Sequence, residues 1–193
     1  MSKNIEMERR VMLTESQYNA LFSYASSFHN KKSFILVNHY FDDEYLSLRK
    51  AHHMLRIRNI NDNQYELTLK VKGDNGDLEI NEPISLDKVN ELIKRFDYKN
   101  NDIMDRVRLV TSKEIKYITS LKTERIEIHF PNYLLVLDKN YYSDVVDYDL
   151  EIEANDLDTA NQTIQKYCTL FGMQYDPNYK SKSRRAINKA LGL

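Results

Sequence analysis

Asp147, Asp149, Glu151 and Glu153 occupy alternate positions of VDYDLEIEA, so an extended chain puts all four on one face and Leu150 and Ile152 on the other. Four like charges on one strand face repel one another unless cations sit among them. Near the N-terminus, Glu6, Glu8 and Arg10 alternate with Ile5, Met7, Val11 and Leu13. Cations follow the same rule: Arg56 and Arg58 stand opposite Leu55 and Ile57, Lys70 shares a face with Glu66 and Thr68, and Arg125 shares one with Glu127. Clustered Arg and Lys match a polyanion, and Arg adds two-pronged contacts to phosphate oxygens. Carboxylates beside them would repel that polyanion unless hard divalent cations bridge the two, and Mg²⁺ or Mn²⁺ takes such oxygen ligands. The residue types therefore read as a metal-assisted polyphosphate site.

The elements that must carry these residues are mostly strands. Alternation predicts strands over 4–13, 34–41, 53–60, 64–72, 77–84, 115–129, 134–139 and 147–154. Thr14 and Gln17 have capping-box spacing before a helix to about Phe28, and Ser85 caps another with the stripe Leu86, Val89, Leu92, Ile93 and Phe96. A shorter helix covers 102–110, one over 157–171 stops at Gly172, and a basic one follows Pro177. Eight strands, four or so helices and short connections indicate an antiparallel α+β fold. The helices' apolar stripes must bury against the apolar strand faces. If the sheet closes into an eight-stranded antiparallel barrel with helices outside, the ionic faces line its interior, which is too charged to be a dry core.

Composition narrows the function classes. The 28 Lys and Arg nearly balance 29 Asp and Glu, so no whole-surface field draws the chain to nucleic acid or membrane. The longest apolar runs, such as 34–37 and 134–137, fall far short of the roughly 20 residues a spanning helix needs. The charged first ten residues do not resemble a signal peptide, and the lone Cys168 sits among helical apolar residues as a core thiol, so cytoplasm is the expected compartment. The length suits one domain, 1–193.

Glu6-Met7-Glu8-Arg9-Arg10, His39-Tyr40-Phe41-Asp42, Leu55-Arg56-Ile57-Arg58, Leu67-Thr68-Leu69-Lys70 and Glu151-Ile152-Glu153, in this order, resemble the CYTH domain of the triphosphate tunnel metalloenzyme superfamily. The resemblance spans about 4–185 and leans toward the small stand-alone CYTH proteins of Gram-positive bacteria. It implies an eight-stranded tunnel and a Mg²⁺- or Mn²⁺-dependent triphosphatase, with in-line attack by metal-activated water on the terminal phosphorus. By position it implies Glu6, Glu8, Glu151 and Glu153 as metal ligands with Asp138 and Glu79 as helpers. It implies Arg10, Arg56, Arg58, Lys70 and Arg125 as a phosphate clamp, joined by Lys122 and Lys182. Lys70 and Tyr40 are the candidates for handling a proton, with a packing role as the alternative for Tyr40. Arg10 stands where the family's ExExK signature has Lys, which keeps the charge but removes a titratable group.

Other motifs offer less. His52 and His53 are adjacent and so point to opposite faces of a strand, and no zinc spacing exists. Gly73 to Gly76 lacks the GK[ST] ending of a P-loop and reads as a hairpin turn. The run Lys180 to Arg185 is a solvated helix face or a cap over the tunnel. The expected substrate is a small triphosphate, inorganic triphosphate first and a thiamine or nucleoside derivative second. The alternatives are cyclisation of ATP and a polyphosphate or nucleotide sensor without turnover. No nucleic-acid or membrane partner is expected.

Overall fold

A computed structural model describes residues 1–193 apart from Asn75, Asn100 and Asn101; the expected turn over Gly73 to Gly76 therefore lies partly outside the described residues. Among the described residues the chain runs β1 (Ser2–Leu13), α1 (Glu15–Ser26), β2 (Lys32–Asp42), α2 (Ser47–Lys50), β3 (His53–Ile60), β4 (Gln64–Val71) and β5 (Asp77–Pro83). It continues α3 (Leu86–Lys94), α4 (Asp102–Val110), β6 (Lys116–His129), β7 (Tyr133–Tyr142), β8 (Val145–Ala154), α5 (Leu157–Leu170) and α6 (Lys182–Leu191). The eight strands form a closed antiparallel barrel in the order β1-β5-β4-β3-β2-β6-β7-β8.

Local chemistry sets the boundaries. Thr14 Oγ1 accepts from Gln17 N at 3.2 Å while the Gln17 side chain accepts from Thr14 N at 2.9 Å, completing the capping box of α1. The Asp156 carboxylate caps α5 by accepting from Thr159 N at 2.7 Å. At the other end Gly172 takes a φ of 61°, and Met173 N bonds back to Cys168 O at 2.8 Å, a Schellman stop. The structure departs from expectation in several places, among them Phe96, which lies beyond the end of α3 at Lys94. β7 extends to Tyr142 because the polar Lys139 and Asn140 stay in register with Tyr148 and Asp147 of β8. The four-residue α2 has no legible apolar period; it is held by carboxylates, with Asp42 accepting from Leu48 N and Arg49 N and Asp43 accepting from Tyr45 N and Ser47 N.

The contacts cluster into two compact units, 1–5 with 37–121 and 183–193, and 6–36 with 122–182. The first buries Leu55, Ile57, Leu67, Leu69 and Ile80 of β3 to β5 under Val89 and Leu92 of α3 and Ile103 and Val107 of α4. The second buries Val11, Ile126, Ile128, Leu137, Leu150 and Ile152 under Leu21 and Ala25 of α1 and Ile164 and Cys168 of α5. Each fully buried aliphatic side chain contributes roughly 1.5 to 3 kcal/mol. Because strand side chains alternate, the helix-covered apolar faces turn the ionic faces toward the barrel interior.

Candidate active site

In the second unit the antiparallel β1–β8 ladder sets Glu8 directly across from Glu153 and Arg10 across from Glu151. Glu8, Glu151 and Glu153 each offer a carboxylate oxygen, and these atoms lie within 4.8 Å of one another. Two acids face each other here, a pairing that is unfavourable without a counter-charge. All-oxygen, anionic donors suit a hard cation such as Mg²⁺ or Mn²⁺, and the trio contains neither thiolate nor imidazole to favour a softer one. The trio therefore fits the metal that the sequence implies.

Cations press on the same carboxylates. The Arg125 guanidinium forks onto Asp138, Nε to Oδ1 and Nη2 to Oδ2, both at 2.8 Å, and Nη2 also reaches Glu151 at 3.1 Å. Lys182 Nζ pairs with Asp138 and lies 3.3 Å from Glu151. Arg10 pairs with Glu8 through Nη2 and lies 3.7 Å from Glu151 through Nη1. Burial raises the pKa of Asp138, yet the charges of Arg125 and Lys182 hold it below the usual carboxylate range. Burial likewise lowers that of Arg125, and Asp138 and Glu151 more than reverse this. Glu8, Asp138, Glu151 and Glu153 thus stand among Arg10, Arg125 and Lys182, carboxylates and cations interleaved in one group.

Further along the same face, buried Asn140 holds two acids in place. Its Nδ2 donates to Asp149 at 2.7 Å and to Asp147 at 3.1 Å, while its Oδ1 accepts from Thr123 at 2.8 Å. Tyr142 donates to Asp147 and Tyr179 to Asp149.

The first unit carries the other half of the expected clamp. Arg56 Nη2 donates to Glu79 at 3.1 Å, and both side chains are buried. Among the described residues the buried Arg56 Nε has no hydrogen-bond partner. Arg58 donates through Nε to Asn38 at 3.1 Å and lies 3.7 Å from Glu66. Lys70 stands across the ladder from Glu79 and pairs with Asp77 at 3.5 Å. Burial works to raise the Glu79 carboxyl, but Arg56, then Arg58 and Lys70, bring it down to about 2.

The expected residues thus divide. Glu8, Glu151 and Glu153 come together; Glu6 is half-buried on the same strand and stands outside the trio. Asp138 and Glu79, expected as helpers beside the metal, lie outside the trio and are each engaged by an arginine. Tyr40, on the same face of β2 as Asn38, is fully buried and belongs to neither apolar cluster. Lys122 is a correction. It shares its strand face with Ile126 and Ile128 beneath the helices, about half exposed, 3.5 Å from Glu124 and over the Tyr141 ring, because strand parity puts it opposite Arg125. Asn38, Asn81 and Asn140 were missed; their signal is parity, since each sits two residues from another inward-facing polar or aromatic side chain, Tyr40, Glu79 and Asp138 respectively.

Residues 4–186 match the CYTH domain model. The chain is 32% identical over 186 residues, 95% of its own length and 94% of the relative's, to the Bacillus subtilis (strain 168) protein named "Putative triphosphatase YjbK". Its fold matches the crystal structure of a Bacillus halodurans protein described as a "putative adenylate cyclase", with a TM-score of 0.85 at 28% identity over 96% of this chain and 98% of that one. It also matches HpAC1 of Hippeastrum, whose structural description reports a dominant triphosphatase activity, with a TM-score of 0.79 at 21% identity over 96% of each chain. The chain belongs to the CYTH family. No helix among the described residues is long and apolar enough to cross a membrane.

Proposed function

We propose that this CYTH protein is a divalent-metal-dependent triphosphatase acting on a small triphosphate, with inorganic triphosphate favoured. The observation that carries the reading is the convergence of Glu8, Glu151 and Glu153 beside Arg10, Arg125 and Lys182, an acid trio whose neighbours are phosphate-type donors. The name of the Bacillus subtilis relative supports the same class. Glu8, Glu151 and Glu153 would hold Mg²⁺ or Mn²⁺, which supplies charge neutralisation on a phosphate chain and lowers the pKa of water.

The chain's own residues do the rest. Arg10, Arg125 and Lys182, now engaged by carboxylates, are donors for phosphate oxygens in the second unit. In the first unit Arg56, Arg58 and Lys70 serve the same purpose, with Glu79 and Asn38 fixing the two guanidiniums. Charge-assisted bonds of this kind strengthen as negative charge builds on the transferring phosphoryl group. Tyr40 and Lys70 are the groups proposed to move a proton.

The test is phosphate release from inorganic triphosphate, with Mg²⁺, Mn²⁺ or chelator present. Release that depends on the metal is expected; release of pyrophosphate with a cyclic nucleotide from ATP, and none from inorganic triphosphate, would replace this reading with the cyclase suggested by the Bacillus halodurans description.

A further inference from the structure

A chain of polar groups, buried except for the half-buried Asn81, crosses β3, β4 and β5 and ends on Arg56. The ladders align Arg56 with Thr68 and Thr68 with Asn81 as direct cross-strand partners, and Arg56 and Thr68 are buried. Thr68 Oγ1 donates to Asn81 Oδ1 at 2.6 Å, Asn81 Nδ2 donates to Glu79 Oε1 at 2.9 Å, and Arg56 Nη2 donates to Glu79 Oε2 at 3.1 Å. The direction of each bond follows from the one before it. With the Thr68 hydroxyl taken up by the amide oxygen, the Asn81 NH₂ must turn to Glu79, and one Glu79 oxygen is then left to Arg56. The arrangement also answers what Glu79 does, since one oxygen serves Asn81 and the other serves Arg56.

We infer that Thr68 and Asn81 are positioning residues, which act through Glu79 to fix the orientation in which the Arg56 guanidinium meets a triphosphate. The inference rests on the proposed triphosphate reading and adds that Glu79 belongs to the phosphate clamp and not to the metal. A loose Arg56 meets a phosphate chain in many rotamers, and the ordering cost then falls on binding. The effect should appear in triphosphate affinity and leave the metal requirement alone.

Thr68→Val is the sharpest variant because it keeps the shape of the side chain and removes only the hydroxyl; Thr68→Ser restores it, and Asn81→Ala breaks the next link. The full-length protein would be assayed for kcat and KM with inorganic triphosphate, for half-saturating Mg²⁺, and for the ¹⁵N resonance of Arg56 Nε without ligand. Expected are a KM raised roughly tenfold in Thr68→Val and Asn81→Ala, unchanged half-saturating Mg²⁺, near wild-type values in Thr68→Ser, and a broadened Arg56 Nε signal in the first two. A KM unchanged in folded Thr68→Val and Asn81→Ala overturns the inference, as does a shift in half-saturating Mg²⁺ at constant KM, which would return Glu79 to the metal. Wild-type protein that neither binds nor cleaves inorganic triphosphate overturns the proposed function itself, whereas a sharp, unperturbed Arg56 Nε signal in both variants removes the positioning role alone.

Discussion

Glu8 and Glu153 stand directly opposite each other across the β1–β8 ladder, two acids where a stable sheet would normally pair an acid with a base. Arg10, paired with Glu8, relieves part of their repulsion, and a bound divalent cation would relieve more. A single Glu153→Gln change should therefore leave the metal-free melting temperature unchanged or slightly raised. In wild type, Mg²⁺ at a hundred times its Kd adds about 2.7 kcal/mol of stability, and that rise should vanish in Glu153→Gln and Glu8→Gln. Thermal melts with and without Mg²⁺ check both statements. An undiminished Mg²⁺ shift in the two variants would remove the metal from this trio.

Arg56 and Arg58 should part company when each is cut to Ala. Both are expected to weaken triphosphate binding by about 10- to 150-fold, the loss of a charge-assisted hydrogen bond of roughly 1.5 to 3 kcal/mol. Their effects on stability differ because their partners differ. Arg56→Ala leaves the buried Glu79 without its nearest counter-charge, and breaking such a pair costs about 3 to 5 kcal/mol. Arg58 acts on Glu79 less than Arg56 does and lies 3.7 Å from the half-buried Glu66, so its removal leaves Glu79 its strongest counter-charge and costs less. Calorimetric titration with triphosphate and urea unfolding of the two variants separate binding from folding; equal destabilisation would contradict the pairing seen here.

Glu79 also predicts a pH dependence. Its carboxyl is brought from an ordinary 4.5 down to about 2, so the folded state binds its proton more weakly than the unfolded state does. The resulting stability is fully present above the unfolded value and disappears as pH falls from about 4.5 toward 2. Unfolding free energies measured across this window should fall more steeply for wild type than for Glu79→Gln, which has no proton to take up. Parallel curves for the two proteins would show that Glu79 does not carry this component.

Strand alternation made much of this legible. Glu8, Glu151 and Glu153 fall on one face by counting in twos, and the apolar stripes of α1, α3 and α5 required that face to turn away from the helices. The same counting places Lys122 with Ile126 and away from Arg125, where a resemblance by position does not. What alternation cannot supply is register. Whether Asp138 meets a cation or a metal depends on Arg125 standing across from it on β6, and the Glu79 contacts depend on Asn81 lying opposite Thr68. The α2 turn was hidden for another reason, since carboxylate-to-backbone bonds from Asp42 and Asp43 leave no periodic trace in four residues.

Arg10 and Arg125 test how far charge alone suffices. Lys stands in the family signature where this chain has Arg10, and the contacts of Arg10 are single ones, one nitrogen to Glu8 and another 3.7 Å from Glu151, on a side chain that keeps 20% of its surface exposed. An ammonium can supply that charge from a flexible stem. Arg125 uses a fork that no lysine can reproduce, with two parallel bonds to Asp138 and a third to Glu151, all buried. Arg125→Lys would leave at least one carboxylate oxygen of this group without its donor, a loss of roughly 1.5 to 3 kcal/mol for each charge-assisted bond. We therefore expect Arg10→Lys to retain turnover within about threefold and Arg125→Lys to lose about 10- to 150-fold. Steady-state phosphate release by the two variants, each checked for folding by thermal melt, decides the matter; if Arg125→Lys turns over like wild type, only the positive charge at that position counts and the two-pronged geometry has no part in the reaction.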